Sequence, residues 1–136
     1  VLMNGSVRGP FLPLYVEPTT TWPEVFARHL GGPHNVGLVG TSLNCWVSLE
    51  ETHLQSMFLV LEARTLKEVL MSASSKKEGK QSVFDCKPSH TDAVETGEIE
   101  ASRRFLDHNY SLKTTLLAFQ NTVPPGGIVT PKAARD

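Results

Sequence analysis

The sequence predicts an α/β fold in which a short sheet is covered by helices. Residues 57–61 form an uninterrupted apolar run of strand length, which is typical of a strand buried on both faces. Residues 35–40 predict a second short buried strand. Three further segments carry apolar residues at helical spacing. Strands that alternate with helices indicate a layered α/β domain.

Length, charge and cysteines limit the class of protein. The chain has 136 residues, enough for one domain, and its formal net charge of −1 gives no electrostatic basis for binding nucleic acid or an anionic membrane. No apolar run approaches the roughly 20 residues of a membrane span. Cys45 and Cys86 lack the spacing of metal ligands or a CxxC pattern, so we interpret them as separate, partly buried thiols.

Residues 1–13 predict the end of a buried strand that opens into a tight polar loop. The apolar start runs into Asn4 and Ser6, and Arg8 precedes a Gly-Pro pair that breaks the strand. In open α/β sheets, ligands bind just beyond the carboxyl ends of strands. The Arg8 guanidinium is suited to a phosphate or carboxylate there, because it can donate two parallel hydrogen bonds. The alternative is a plain strand-to-turn junction with a surface arginine.

The first predicted helix and the strand after it lead to a second candidate loop. The run Thr19–Thr21 supplies the helix cap and Pro23 lies in the first turn, while a Gly-Gly-Pro sequence stops the helix. His29 falls on the apolar face, where we expect it to pack against the core. The glycines of the strand at 35–40 predict close backbone approach. Thr41 then begins a polar loop just past that strand.

Three polar residues, His53, Gln55 and Ser56, enter the strand at 57–61 from its amino end. Polar groups in this position are costly unless they are hydrogen-bonded. They are therefore either members of a structural network or ligand contacts. A second helix follows, with Thr65 as its predicted cap.

The third predicted helix carries a candidate acid. Asp92 and Glu95 form a predicted capping box, and the helix runs to about His108. Glu98 falls at the edge of the buried face, beside Gly97, which lets other backbone approach. A carboxylate there suits a general base. The alternative is a glutamate that the helix dipole stabilises near a helix start.

The remaining segments have weaker patterns. Residues 83–84 predict a short strand, and residues 110–119 fit either a strand or a short helix. Proline and glycine predict an irregular tail from residue 121 onward. The predicted division is therefore a domain at 1–120 and a tail at 121–136.

Four short blocks occur in a fixed order along the chain. They are the opening Leu-Met-Asn-Gly-Ser-Val-Arg-Gly-Pro-Phe and the blocks at 37–42, 53–58 and 97–104. This set resembles the rhamnan synthesis protein F-like glycosyltransferases. The resemblance covers residues from about 1 to 120 and implies an incomplete GT-A-like three-layer sandwich, the fold of nucleotide-diphospho-sugar transferases. Its short mixed sheet would be flanked by about three helices.

The resemblance also implies a function and a set of site residues. The function is transfer of a sugar from a nucleotide-sugar donor to a glycan or other hydroxyl acceptor. Glu98 would be the catalytic base that deprotonates the acceptor. The residues implied to bind donor or substrate are Asn4, Ser6, Arg8, Thr41, His53, Gln55 and Ser56. Asn4 and Ser6 stand where aspartates that carry a divalent metal would be expected. We therefore assign no metal ligand, and the requirement for a divalent metal stays open.

The chain begins inside its first predicted strand, without the nucleoside-binding half that the resemblance implies. We therefore expect a fragment with weak or no transferase activity alone, from a protein of the cytoplasm or Golgi if it is a transferase. Two other hypotheses stay open. One is a non-catalytic carbohydrate- or protein-binding α/β module that uses the region of Trp46 and His53, and the other is a purely structural domain.

Overall fold

The computed structural model describes residues 1–5, 7, 18–44, 51–71, 82–116 and 127–131. These residues form a mixed α/β structure with a small mixed sheet and about three helical segments. The strands are β1 (Leu2–Met3), β2 (Val36–Gly40), β3 (Leu43–Asn44), β4 (His53–Leu54), β5 (Phe58–Leu61), β6 (Ser111–Thr114) and β7 (Ile128–Val129). The first helix is α1 (Trp22–Ala27). The second, α2 (Ala63–Thr65), continues as a π-helical turn at Leu66–Leu70. The third helical segment consists of α3 (His90–Ala93), a π-helical part at Val94–Ile99 and α4 (Glu100–Asp107).

Five strands form one sheet in the order β1-β5-β2-β6-β7, and β3 pairs with β4 separately. The β2–β6 pair is parallel, whereas β1–β5, β2–β5 and β6–β7 are antiparallel. In the centre of the sheet, Val39 lies opposite Val60 on one side and Lys113 on the other. In the separate pair, Asn44 lies opposite His53. The sheet is therefore mixed, as the sequence predicts.

Apolar side chains cover both faces of the central strands. Neighbouring residues of β5 point in opposite directions, so Phe58 packs in one core cluster with Phe26 of α1 and Leu59 packs in the other with Phe105 of α4. Burial on both faces of β5 is thus confirmed, although Met57, just before the strand, is 41% exposed. The helical segments at 63–70 and 90–107 consequently lie on one side of the sheet, and helix α1 lies on the other.

The start of α1 is as predicted, and its end is earlier. Thr21 is the N-cap, and its backbone N–H donates to the Glu24 carboxylate (2.6 Å) in a capping box, which satisfies an amide that the helix leaves unpaired. The helix ends at Ala27. His29 lies beyond that end and is exposed, so the prediction that it packs against the core was wrong.

Two other helix starts differ from prediction. The N-cap of α2 is Glu62, and the Thr65 hydroxyl instead donates to the Glu62 carbonyl within the first turn (2.9 Å). The N-cap of α3 is Ser89, whose hydroxyl accepts from the Asp92 amide (3.1 Å). Asp92 is therefore the third residue of the helix rather than its cap, and its carboxylate accepts from the Ser89 hydroxyl. At the other end, the C-cap of α4 is His108, and Asn109, the next residue, takes the left-handed conformation (φ 60°).

The strand pairing and the solvent exposure of individual residues correct several local predictions. Residues 83–84 lie in a turn instead of a strand, and Cys86 is exposed rather than partly buried. Of the two alternatives at 110–119, the described part is strand β6. Within the predicted irregular tail, β7 pairs antiparallel with β6, and its Val129 is buried.

The glycines of β2 are approached by side chains rather than by backbone. A Cβ built at Gly37 would lie 2.7 Å from Tyr110 Cβ, and one at Gly40 would lie 3.1 Å from Leu54 Cδ2. The expectation of close approach was therefore right, but the approaching group was wrong. In the parts of the chain that the structure describes, no helix has the length and apolar character needed to cross a bilayer.

Candidate functional site

Ser56 and Glu98 meet where the turn after β4 packs against the π-helical segment. The Ser56 backbone N–H donates to Glu98 Oε1 (2.9 Å), and the Ser56 hydroxyl donates to the same oxygen. The two residues are 42 positions apart, so this contact exists only because the helical segment lies across the β4–β5 connection. Two donors on one oxygen fix the carboxylate in place.

A second hydrogen bond ties β4 to the helix that carries Glu98. The Leu54 N–H donates to Ser102 Oγ (3.0 Å), and Ser102 lies one helical turn after Glu98 and is 1% exposed. A serine hydroxyl inside a helix can satisfy the amide of a neighbouring strand in this way, so that the buried N–H is not left without a partner. The third helical segment is therefore hydrogen-bonded both to strand β4, through Leu54, and to the turn after it, through Ser56.

His53 lies on the other side of the Glu98 carboxylate. Its side chain is 5% exposed, and its Nδ1 lies 2.7 Å from the Glu51 carbonyl oxygen. Its Nε2 lies 3.8 Å from Glu98 Oε2. Glu98 thus has Ser56 beside one carboxylate oxygen and His53 near the other, and its own side chain is 21% exposed.

Glu98 belongs to a π-helical segment, Val94–Ile99, between two α-helical segments. Such wide turns occur inside α-helices and are frequent at functional sites, because they displace one side chain from the regular helical position. The neighbouring Gly97 does not admit other backbone, since a Cβ there would meet nothing within 4 Å. The predicted reason for that glycine is therefore wrong, whereas the placement of Glu98 at the edge of a buried face is as expected.

A cleft of about 370 Å³, here called the Glu98 cleft, brings three of the predicted site residues together. Asn4 comes from the end of β1, Ser56 from the turn before β5 and Glu98 from the helical segment. This volume is at the small end of the roughly 300–1,000 Å³ of small-molecule sites. The complete lining is Leu2, Met3, Asn4, Ser56, Leu59, Leu70, Val83, Phe84, Lys87, Ala93, Gly97, Glu98 and Ala101.

His53 opens instead onto a second cleft of about 340 Å³, here called the His53 cleft. Its polar lining includes the side chains of Glu51, His90 and Glu95, and its apolar lining includes Val94 and Ile99. The contact between Glu98 and His53 therefore lies between two separate concave surfaces. Of the residues that the resemblance implies for one site, Asn4, Ser56 and Glu98 therefore line one cleft and His53 lines the other.

The other predicted site residues lie elsewhere. Thr41 follows β2, and its carbonyl accepts from the Thr114 hydroxyl (3.1 Å). The Gln55 N–H donates to the Ser42 carbonyl (3.1 Å), and neither Thr41 nor Gln55 lines the Glu98 cleft. The predicted residues Ser6 and Arg8, and Trp46 of the alternative hypothesis, lie outside the described residues.

Lys87 is a cleft residue that the sequence did not single out. Its Nζ donates to the Ser82 carbonyl (2.5 Å), and its side chain is half-buried beside the cleft. A lysine before a proline carries no motif that indicates a binding role. It lies in the Glu98 cleft only because residues 82–88 fold back along the start of the third helical segment.

The residues of the Glu98 cleft do not suit a resident divalent metal. Its described oxygen donors are one carboxylate (Glu98), one amide (Asn4) and one hydroxyl (Ser56), beside a lysine. Hard cations are usually held by two or more carboxylates. Across the described ranges, no three His, Cys, Asp or Glu side chains are grouped so that they could hold a metal ion. No chemical step is therefore assigned to a metal.

Comparison with known proteins returned no family model, no curated protein and no solved structure that matches this chain.

Proposed function

We propose that this chain is part of a glycosyltransferase catalytic domain that moves a sugar from a nucleotide-sugar donor to a hydroxyl acceptor. The observation that carries the proposal is the convergence of Asn4, Ser56 and Glu98, from three of the four resembling blocks, on one cleft. The blocks are far apart in sequence. Their meeting in a concave site is what a shared substrate requires, whereas packing motifs alone do not require it.

In this proposal Glu98 is the general base. Ser56 occupies Oε1 with two hydrogen bonds, which leaves Oε2 as the oxygen that accepts a proton. As the acceptor O–H bond breaks, its electron pair forms the bond to the anomeric carbon of the sugar. The bond from that carbon to the diphosphate oxygen breaks, and its electron pair leaves with the diphosphate.

Two hydrogen-bond donor groups of the Glu98 cleft suit the departing diphosphate. Lys87 supplies a cation and Asn4 supplies amide hydrogens, and both line the same cleft as Glu98. Positive charge and hydrogen-bond donors aimed at a developing negative charge lower the barrier to its departure. Arg8, which lies outside the described residues, is proposed to assist in the same role.

A second candidate is a carbohydrate-binding module without catalysis. The observation in its favour is that the backbone N–H and the hydroxyl of Ser56 both donate to Oε1 of Glu98. A carboxylate that accepts two hydrogen bonds from one neighbour is also typical of a static polar network. The two candidates differ in whether Glu98 is needed for transfer or only for the shape of the site.

The test is sugar transfer by the protein expressed from its full coding sequence, measured as nucleoside diphosphate release from a panel of nucleotide-sugars. Removal of a general base lowers the rate by about 10²–10⁴-fold, so Glu98→Gln should lose that factor. The matched control is Glu95→Gln, the same substitution at an exposed position of the same π-helical segment, with an unchanged rate.

Two outcomes would contradict the proposal. Equal transfer rates in Glu98→Gln and wild type would remove Glu98 as the base. Binding of methyl glycosides without any diphosphate release from the panel would favour the binding module. Circular dichroism of each variant verifies that a lost rate is not a lost fold.

A further inference from the structure

We propose that His53 is a positioning residue for Glu98, and that Glu98 Oε2 and His53 Nε2 together hold the single proton taken from the acceptor hydroxyl. This inference rests on the proposed function and deepens it. It also gives His53 a different role from substrate contact, because the ring lines the His53 cleft and not the Glu98 cleft.

The hydrogen bonding of the ring fixes which nitrogen is available. Nδ1 lies 2.7 Å from the Glu51 carbonyl oxygen, which can only accept a hydrogen bond. Nδ1 must therefore carry a hydrogen and donate it. In the neutral ring Nε2 then carries a lone pair and no hydrogen, and it lies 3.8 Å from Glu98 Oε2.

The distance between His53 Nε2 and Glu98 Oε2 agrees with the absence of a hydrogen between them. Nε2 and Oε2 are 3.8 Å apart, beyond the roughly 2.7–3.2 Å of a hydrogen bond that involves nitrogen. Two lone pairs that face each other without a hydrogen between them repel. A proton delivered to either atom converts that repulsion into a charge-assisted hydrogen bond, which is among the stronger and shorter kinds.

The balance of the step is simple. The acceptor O–H bond breaks, the proton binds to Oε2, and it is then shared with the lone pair of Nε2. The electron pair of the acceptor oxygen goes to the sugar carbon as described above, and no oxidant, reductant or further reactant is needed. Because the ring lowers the free energy of the protonated carboxyl, Glu98 becomes a more effective base without touching a second group of the substrate.

Glu98 is a close ionic partner of the His53 ring. His53 lies on β4, and the π-helical segment packed against it supplies Glu98 at 3.8 Å. The other titratable side chains that line the same cleft are Glu51, His90 and Glu95. Ser56, on the far side of the carboxylate, cannot serve as the proton acceptor, because its hydroxyl already donates to Oε1.

The first test needs no substrate. Nitrogen-15 NMR of the imidazole should show neutral His53 with hydrogen on Nδ1 and none on Nε2. On acidification, the new Nε2 proton should show the low-field signal of a charge-assisted hydrogen bond, and that signal should move upfield in Glu98→Gln, which replaces a charged acceptor by a neutral one. Hydrogen on Nε2 in the neutral ring, or the same Nε2 proton signal in both proteins, would overturn the proposal whether or not the protein transfers sugar.

The second test uses the transfer reaction and separates this inference from the proposed function. His53→Gln should lower kcat about 10-fold or more while KM for the donor stays constant, because the ring acts on the base and not on the donor. The dependence of kcat on pH should differ between wild type and His53→Gln, because the variant lacks the ring that shares the proton with Glu98.

The matched control for the second test is His108→Gln. His108 follows α4, and its Nδ1 also lies near a backbone carbonyl, that of Arg104 (2.8 Å), but its ring is exposed. Its pH profile should equal that of wild type. If wild type transfers sugar and His53→Gln has the same pH profile, the pairing of Glu98 with His53 is rejected and the proposed function is not. If wild type transfers no sugar, the proposed function is rejected and the NMR result decides the pairing.

Discussion

Gly37 is the residue at which the fold tolerates no side chain. In the central strand β2, a Cβ at this position would lie 2.7 Å from two atoms of Tyr110 and 2.8 Å from Phe105 Cδ1. Phe105 is fully buried and stacks edge-to-face with Tyr110, so neither ring can move without disturbing the core. Glycine is therefore required here by packing, and the backbone conformation does not demand it.

We expect Gly37→Ala to destabilise the protein by about 1–3 kcal/mol, the usual cost of forcing an extra methyl into a packed core. Urea denaturation measures the change as a lower midpoint with an unchanged slope.

The matched control is Gly97→Ala, in which the added methyl meets nothing within 4 Å. Alanine at a helical position should raise stability by about 0.5–1 kcal/mol. If both substitutions lowered stability equally, the packing explanation for Gly37 would be wrong.

At the level of single residues, the sequence correctly indicated that Ser56 needs a hydrogen-bond partner, and that Glu98 lies at the edge of a buried face. Their adjacency could not be predicted, because it depends on the packing of the π-helical segment over the turn before β5. Lys87 was missed for the same reason. Chemical type can be inferred from the chain, but the distance between side chains 42 positions apart depends on tertiary structure.

Among the helices, α1 offers a measurement of how its cap depends on pH. The hydrogen bonds from the Thr21 backbone and the Thr21 hydroxyl lower the pKa of Glu24 below its usual value of 4.5. A carboxylate with a lowered pKa in the folded state stabilises it above the unfolded pKa, and this contribution disappears as the pH falls through the folded value.

We therefore expect wild type to be more stable than Glu24→Gln at pH 7, with the difference shrinking below about pH 4.5. Thermal denaturation of both proteins between pH 7 and pH 3 measures it. A difference that stays constant over this range would show that the charge of Glu24 does not contribute to the cap.

The helix caps also show what local sequence can predict. A cap within Thr19–Thr21 was predicted correctly, because the threonines coincide with Pro23 in the first turn. At the third helix the cap was predicted at Asp92, and it is Ser89, three residues earlier. At α2 a glutamate, Glu62, is the cap, although Thr65 is the more typical residue. Competing local signals are decided by tertiary packing.

Over the whole molecule, Phe105 connects the helices to the sheet. It is 0% exposed and belongs to the core cluster that contains residues of β2, β5, β6 and β7. We expect Phe105→Ala to cost about 3–5 kcal/mol, because a large buried ring leaves a cavity. A domain of this size has about 5–15 kcal/mol of stability in total, so the loss should shift the urea midpoint strongly.

The control for this measurement is Met71→Ala, at an apolar residue that is 62% exposed. Its effect should stay within about 0.5 kcal/mol, as for most surface substitutions. A change below about 1 kcal/mol in Phe105→Ala would mean that the core does not depend on this ring.

The sheet order is the part of the fold that the sequence could not supply. Buried strands at β2 and β5 were predicted from their apolar runs, because burial on both faces leaves a clear pattern. The two-residue strand β7 has no such pattern and is defined only by its pairing with β6. The parallel pairing of β2 with β6 spans a crossover of about seventy residues, which no local signal encodes.

One wall of the Glu98 cleft comes from β1, a strand of two residues at the edge of the sheet. A strand held at the edge by so few backbone hydrogen bonds can open locally while the core stays folded, so it opens far more often than the core strands do. The β1 amides should therefore exchange with deuterated solvent much faster than those of β2. A molecule that bridges Asn4 and Glu98 would hold β1 in place. Slower deuterium uptake at β1 would therefore show that the Glu98 cleft is occupied, whatever reaction the protein catalyses.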